Sequence, residues 1–298
     1  MQPIEAVERE VDRLQYNKLI MKKIFCILFC LSVPILPTLA QDGSCMEART
    51  YTKNNLAFQA GERLTIVATY KWGLVNMDVG EATLTLQEES FRDTQYFFGR
   101  GIAKTYKFWD KFFKVRDIYE GRFLVNSLRP IYFHRDIKEG SYKMRNTYIF
   151  DQETNMISAT IQSNNNPERK YELQGKPCTF DIISLFYNSR NLDFADVTPG
   201  KTFPISFAID EQVYDLYYRY LGRENIKVGK IGTFRCLKFA AKLIAGEVFT
   251  GKEELIIWIT DDRNRIPMLI ETPVSVGRVT ARISEYANLK YPLTSKVE

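Results

Sequence analysis

The chain has 298 residues, 41 Lys and Arg against 36 Asp and Glu, 45% hydrophobic residues and a single histidine, His134. One histidine excludes metal sites built on two or more imidazoles, and it leaves any Ser/His/Asp or Cys/His centre a single candidate base. A formal net charge of +5 is too mild for a dedicated nucleic-acid binder, so no nucleic-acid partner is expected.

Residues 1–20 are polar and precede a stretch built like a secretory signal. Met21-Lys22-Lys23 is followed by an apolar run over 24–36 and by small residues Thr38 and Ala40. Cleavage after Ala40 is expected, with translation starting at Met21 and residues 1–20 an upstream mis-start. An amphipathic helix over 1–20 is the alternative. A lipoprotein anchored at Cys45 is a further one, which Asp42 disfavours because it stands where a lipobox needs an apolar residue. The apolar run falls short of the about 20 residues that span a bilayer. The expected location is therefore outside the cytoplasm, in the periplasm or associated with the outer membrane.

Residues 41–57 read as a flexible N-terminal segment. Residues 58–298 read as a single β-rich domain whose two halves meet near a helix at 181–190. Leu64, Ile66, Ala68, Tyr70 and Trp72 alternate with Thr65, Val67, Thr69 and Lys71, and alternation resumes at Ala82, Leu84 and Leu86 after a connection over 73–80. Period two on both sides of a Gly-containing loop predicts a hairpin. The same alternation returns over 142–150, 213–221 and 278–283, and the whole chain is expected to hold about a dozen strands, mostly hairpin-connected. These make a mainly β fold: a large twisted antiparallel sheet, barrel-like or sandwich, with one or two short helices packed on it.

One helix is predicted over 104–114. Lys104, Lys107, Lys111 and Lys114 share one stripe, and Tyr106, Trp109 and Phe113 share another, with Phe112 beside them. The four lysines are candidates for contact with an anionic lipid layer or acidic polymer; packing of the aromatics on the sheet explains the stripe as well. A second helix is predicted over 181–190, capped by Thr179 or Asp181, with Ile182, Leu185 and Phe186 on one side. It is expected to lie on, or plug, a sheet.

The mature chain keeps Cys45, Cys178 and Cys236, an odd number at spacings that fit no metal motif. A Cys178–Cys236 bridge and three unpaired thiols are both open. Asp261 and Asp262 sit at a hairpin corner beside Arg263 and Arg265, where turn chemistry accounts for them better than a glycosidase pair does. His134 reads as a half-buried strand residue. No phosphate-binding Gly-rich loop stands between a strand and a helix, and no metal or cofactor is expected.

Taken in order, the motifs around Phe113 to Gly121, Ser127 to Ile131, Glu139 to Tyr142, Asp181 to Arg190 with Pro199-Gly200, Gly232 to Phe239 and Trp258 to Met268 resemble the exported bacterial family known as domain of unknown function 3108. The resemblance covers about 58–290 and implies a mostly β envelope protein; it supplies no catalytic residues.

Strand aromatics of both parities suggest a groove for an apolar or carbohydrate ligand, and two-sided burial within a sandwich explains them nearly as well. Tyr70, Trp72, Trp109, Phe112, Tyr218 and Trp258 are the candidate ligand-binding residues. The leading expectation is non-enzymatic binding or carriage of a lipid-like or amphipathic ligand in the periplasm. A structural or adaptor protein that docks on an envelope protein or membrane surface is second, and a polysaccharide-acting enzyme using Asp261 is third. An apolar cavity above about 300 Å³ favours the carrier, a flat apolar patch the adaptor, and two carboxylates converging across a cleft the enzyme.

Overall fold

The computed structural model describes residues 50–72, 75–92, 94–194, 196–242, 254–273 and 278–297. The signal, its cleavage point, Cys45 and residues 1–49 lie outside these.

Eight strands follow one another as hairpins: β1 (Arg63–Trp72), β2 (Val75–Phe91), β3 (Thr94–Thr105), β4 (Arg116–Leu124), β5 (Pro130–Glu139), β6 (Tyr142–Phe150), β7 (Met156–Ser163) and β8 (Arg169–Gln174). A two-residue β9 (Thr179–Phe180) and the helix α1 (Ile182–Ser189) interrupt the series. It resumes with β10 (Thr202–Ile209), β11 (Gln212–Val228), β12 (Gly232–Lys242), β13 (Glu254–Thr260), β14 (Pro267–Pro273) and β15 (Arg278–Ala287). All belong to one sheet in the order β8-β7-β6-β5-β4-β3-β2-β1-β15-β14-β13-β12-β11-β10-β9. Only β9 and β10 pair in parallel.

The chain thus starts at the middle of the sheet, meanders to one edge, crosses to the other and meanders back. That path forces the sheet to curl. Laid flat, fourteen inter-strand spacings would separate β8 from β9 by about 67 Å. The connection through residues 175–178 spans no more than about 18 Å. The ladder does not close into a barrel, and side chains bridge the gap. Arg169 pairs with Glu211 at 2.6 Å and Lys176 with Asp215 at 2.7 Å. Buried Arg135 on β5 pairs with Asp210 of the β10–β11 turn, whose carbonyl also accepts from the Tyr148 hydroxyl at 3.0 Å.

The expected alternation is present, as in β4, where every second residue is buried. The second hairpin strand starts at Val75, earlier than the residue pattern suggests. The predicted helix over 104–114 is not formed. Lys104 is held in the ladder between Glu81 of β2 and Arg116 of β4, and only a single 3-10 turn, Trp109–Lys111, follows. Ladder pairing on both sides of β3 outweighs the helical spacing of the lysines. The other helix forms as expected, with Asp181 as its cap. The Asp181 carboxylate accepts from the backbone N–H of Ile183 at 2.7 Å and of Ser184 at 3.1 Å, and Ser184 Oγ accepts in return from the Asp181 N–H at 3.1 Å.

Why α1 sits inside the curl is visible at a glycine pair. Gly99 of β3 and Gly121 of β4 are register partners. A Cβ on Gly99 would lie 2.5 Å from Ile183 Cγ2, and one on Gly121 would lie 2.8 Å from Ile183 Cβ. The missing side chains leave the seat that Ile183 occupies. One turn on, Tyr187 stacks on Phe123 at 5.4 Å and meets Phe58 edge-on at 4.7 Å.

Candidate functional site

The helix has a second apolar side. Ile182, Leu185, Phe186 and Ser189 follow i, i+3, i+4, i+7 and face away from the Ile183–Tyr187 stripe. They form one wall of an apolar cavity of about 230 Å³. Ile205 and Phe207 of β10, Leu216 and Tyr218 of β11, and Phe239 and Ala241 of β12 supply much of the rest. Leu255, Ile257 and Ile259, alternate residues of β13, continue the lining. A ring cluster backs it: Phe194 lies 5.4 Å from Phe203 and 4.9 Å from Phe239, and Tyr220 lies 5.3 Å from Phe239. Polar groups at the wall are few, chiefly Ser189, Arg190, Tyr217 and Tyr218. Burial pushes the Tyr218 phenol above its ordinary range.

A second cavity, also about 230 Å³, adjoins the first and shares Arg190 and Leu192 with it. Its lining is polar and includes Asn191, Asp193, Arg263 and Arg265. The Arg265 guanidinium lies 4.7 Å from the ring of Phe194, a residue of the apolar cavity, and its Nη1 is buried with no hydrogen-bond partner among the described residues. Arg263 is exposed and stacks 3.8 Å over Tyr291. Arg190, between the two cavities, is occupied by Glu62 and the Asn264 carbonyl.

Of the six candidate ligand-binding residues, Tyr218 lines the apolar cavity. Tyr70 is buried in a separate small cluster with Val79, Ala103 and Val115, on which Trp109 packs. Trp258 is buried and donates its indole N–H to Glu224. Phe112 is on the surface. Trp72 ends β1, with its side chain outside the described set. The structure does not bring these six together. The cavity's principal residues are aliphatic, and their signal in the sequence is the one-sided parity of β12 and β13 together with the Ile182, Leu185, Phe186 stripe.

Asp261 and Asp262 do not converge on a cleft. Asp261 accepts from Arg223 at 3.2 Å and Arg235 at 3.3 Å, while Asp262 accepts from the Asn264 N–H at 2.9 Å and the Ser295 N–H at 3.2 Å. His134 is half-buried on β5, 3.0 Å from Thr147 Oγ1. Cys236 is a free, buried thiol, so the Cys178–Cys236 bridge is not made. Cys178 is nevertheless disulfide-bonded. Among the described residues no His, Cys, Asp and Glu cluster could hold a metal ion, and no helix is long and apolar enough to cross a membrane.

The profile of the proteins of unknown function DUF3108 matches residues 67–284. The chain belongs to this family. Several motifs that carry the family resemblance meet in space. Gly121 and Ile183 form the helix seat, and Asp117 of the first motif lies beside Glu139 of the third. The DUF3108 chain is similar in fold to a β-barrel-like protein of another family of unknown function, DUF1849, from Brucella abortus. The TM-score is 0.51 and the identity 9%, with 78% of this chain and 99% of that one covered. A Bacteroides fragilis protein with a YmcC-like fold aligns at a TM-score of 0.34 and 8% identity, over 77% of this chain and 97% of that one. No curated protein matches the chain.

Proposed function

We propose that this DUF3108 protein is exported to the periplasm, by a signal cleaved after Ala40, and there binds or carries an amphipathic, lipid-like molecule without chemically changing it. The observation that carries the reading is the cavity between α1 and β10–β14, whose lining is almost wholly hydrocarbon. Such a lining offers a hydrocarbon chain the gain of leaving water and offers a polar substrate little to orient it. At about 230 Å³ the cavity falls short of the roughly 300 Å³ at which ligand pockets usually begin. That narrows the ligand to one with a single slim apolar chain. The adjoining polar cavity, with Arg263 and Arg265, supports an amphipathic ligand over a plain hydrocarbon.

Titration of the purified protein with a dansyl-labelled fatty acid tests this. Saturable binding is expected, displaced by unlabelled fatty acid and lost in Ala241→Phe, which fills the cavity from β12. Binding that Ala241→Phe leaves intact in a still-folded protein would place the ligand elsewhere and overturn the assignment.

A further inference from the structure

The connection between β3 and β4 carries an exposed aromatic tip that packing within the chain does not explain. Phe108 is 62% exposed and Phe112 40% exposed, although both are large apolar rings. They cluster with Trp109 at centroid distances of 5.2, 5.7 and 5.8 Å. The base beneath them is firmly held. Trp109 Nε1 donates to the Asp78 carbonyl at 3.0 Å, Arg116 forks onto Asp110 at 3.0 and 2.6 Å, and Phe113 packs on the small cluster around Tyr70. The tip is thus a fixed wedge, preorganised for what it touches.

The unpaired charge around the wedge has one sign. Lys104, Lys107, Lys111 and Lys114 are all exposed. Lys104 is paired with Glu81 at 3.0 Å, and the nearby carboxylates Asp110 and Asp78 are taken by Arg116 and by Arg282 at 2.7 Å. Lys107, Lys111 and Lys114 have no ion pair among the described residues. Aromatic rings that favour the depth of lipid head groups, ringed by free lysines, match an anionic bilayer in both polarity and charge.

We infer that the 106–114 connection docks on the surface of an anionic phospholipid membrane, with Phe108 and Phe112 entering the head-group layer and Lys107, Lys111 and Lys114 meeting lipid phosphates. An acidic protein surface would use the lysines equally well, but it would not need two protruding rings.

The test is co-sedimentation of the full chain with vesicles of phosphatidylglycerol and phosphatidylcholine, against vesicles of phosphatidylcholine alone. Binding is expected only with phosphatidylglycerol and should weaken as salt rises. Lys107→Gln and Lys111→Gln should each reduce it about fivefold. Phe108→Ser/Phe112→Ser should reduce it at least as much while leaving the thermal midpoint unchanged, since neither ring is buried. Failure to bind phosphatidylglycerol vesicles at low salt overturns the proposal. Binding insensitive to the double Phe variant overturns the wedge and leaves a surface that recognises charge alone.

Discussion

Arg190 at the end of α1 and Glu62 just before β1, 128 positions apart, form a buried ion pair with Nη2 to Oε2 at 2.8 Å and side-chain exposures of 1% and 0%. Arg190 also donates through Nε and Nη2 to the Asn264 carbonyl at 3.0 and 2.9 Å, and it lies among the rings of Phe58, Phe186 and Tyr187. One guanidinium therefore ties together the entry to the sheet, the helix and the β13–β14 turn. Glu62→Gln strands the cation and should cost about 3–5 kcal/mol in urea unfolding. Arg190→Lys should cost nearly as much, because an ammonium cannot bind both the carboxylate and the carbonyl in the same plane. A loss below about 1 kcal/mol for both would contradict the assignment.

Gly99→Ala and Gly121→Ala should each push Ile183 from its seat, at about 1–3 kcal/mol of stability. Ile183→Ala relieves the clash, so the double variants should be less destabilised than the sum of the singles. Strict additivity in the mutant cycle would mean that the glycines and the helix are not coupled.

Burial pushes the Asp117 carboxyl up to about 7, with Glu139 beside it and the Lys138 N–H donating to it at 2.9 Å. Asp181, also fully buried, is pushed up to about 6. A carboxyl whose folded pKa is raised binds its proton more tightly when folded. Its contribution is therefore complete below about pH 4 and is lost as pH rises through 7. Asp117→Asn keeps an acceptor for Lys138 and should flatten the fall between pH 4 and 8 by about 2–4 kcal/mol, read from urea midpoints. An unchanged profile would show that Asp117 does not titrate there.

Burial and the nearby Asp262, Asp261 and Glu224 push the Cys236 thiol up to about 12. It should resist iodoacetamide in the native protein and react at once in denaturant. Cys178 should react only after reduction. If the signal is removed at Ala40, Cys45 is the remaining cysteine able to bridge to it, and non-reducing peptide mapping should recover that pair.

The strands were legible because alternation is local: Tyr142 to Phe150 reads the same in sequence and structure. The capped helix was legible from Asp181 and its apolar stripe. The lysine spacing at 104–114 misleads because pairing with β2 on one side and β4 on the other fixes Lys104 in a ladder, which the spacing alone does not reveal. The cavity was hidden for the same reason. Gly99 meets Gly121 only through the β3–β4 register, and both meet Ile183 only once the sheet has curled. Aromatic side chains are the conspicuous feature of the sequence, whereas the cavity is mostly lined by Ile and Leu from six strands and a helix.

The most direct measurement of the carrier reading is native mass spectrometry, with lipid extraction, of the protein purified from its own envelope. One molecule of a single-chain amphiphile bound per protein, and absent from Ala241→Phe, is the expected result. If no small molecule co-purifies and added fatty acid does not bind, the protein is not a carrier.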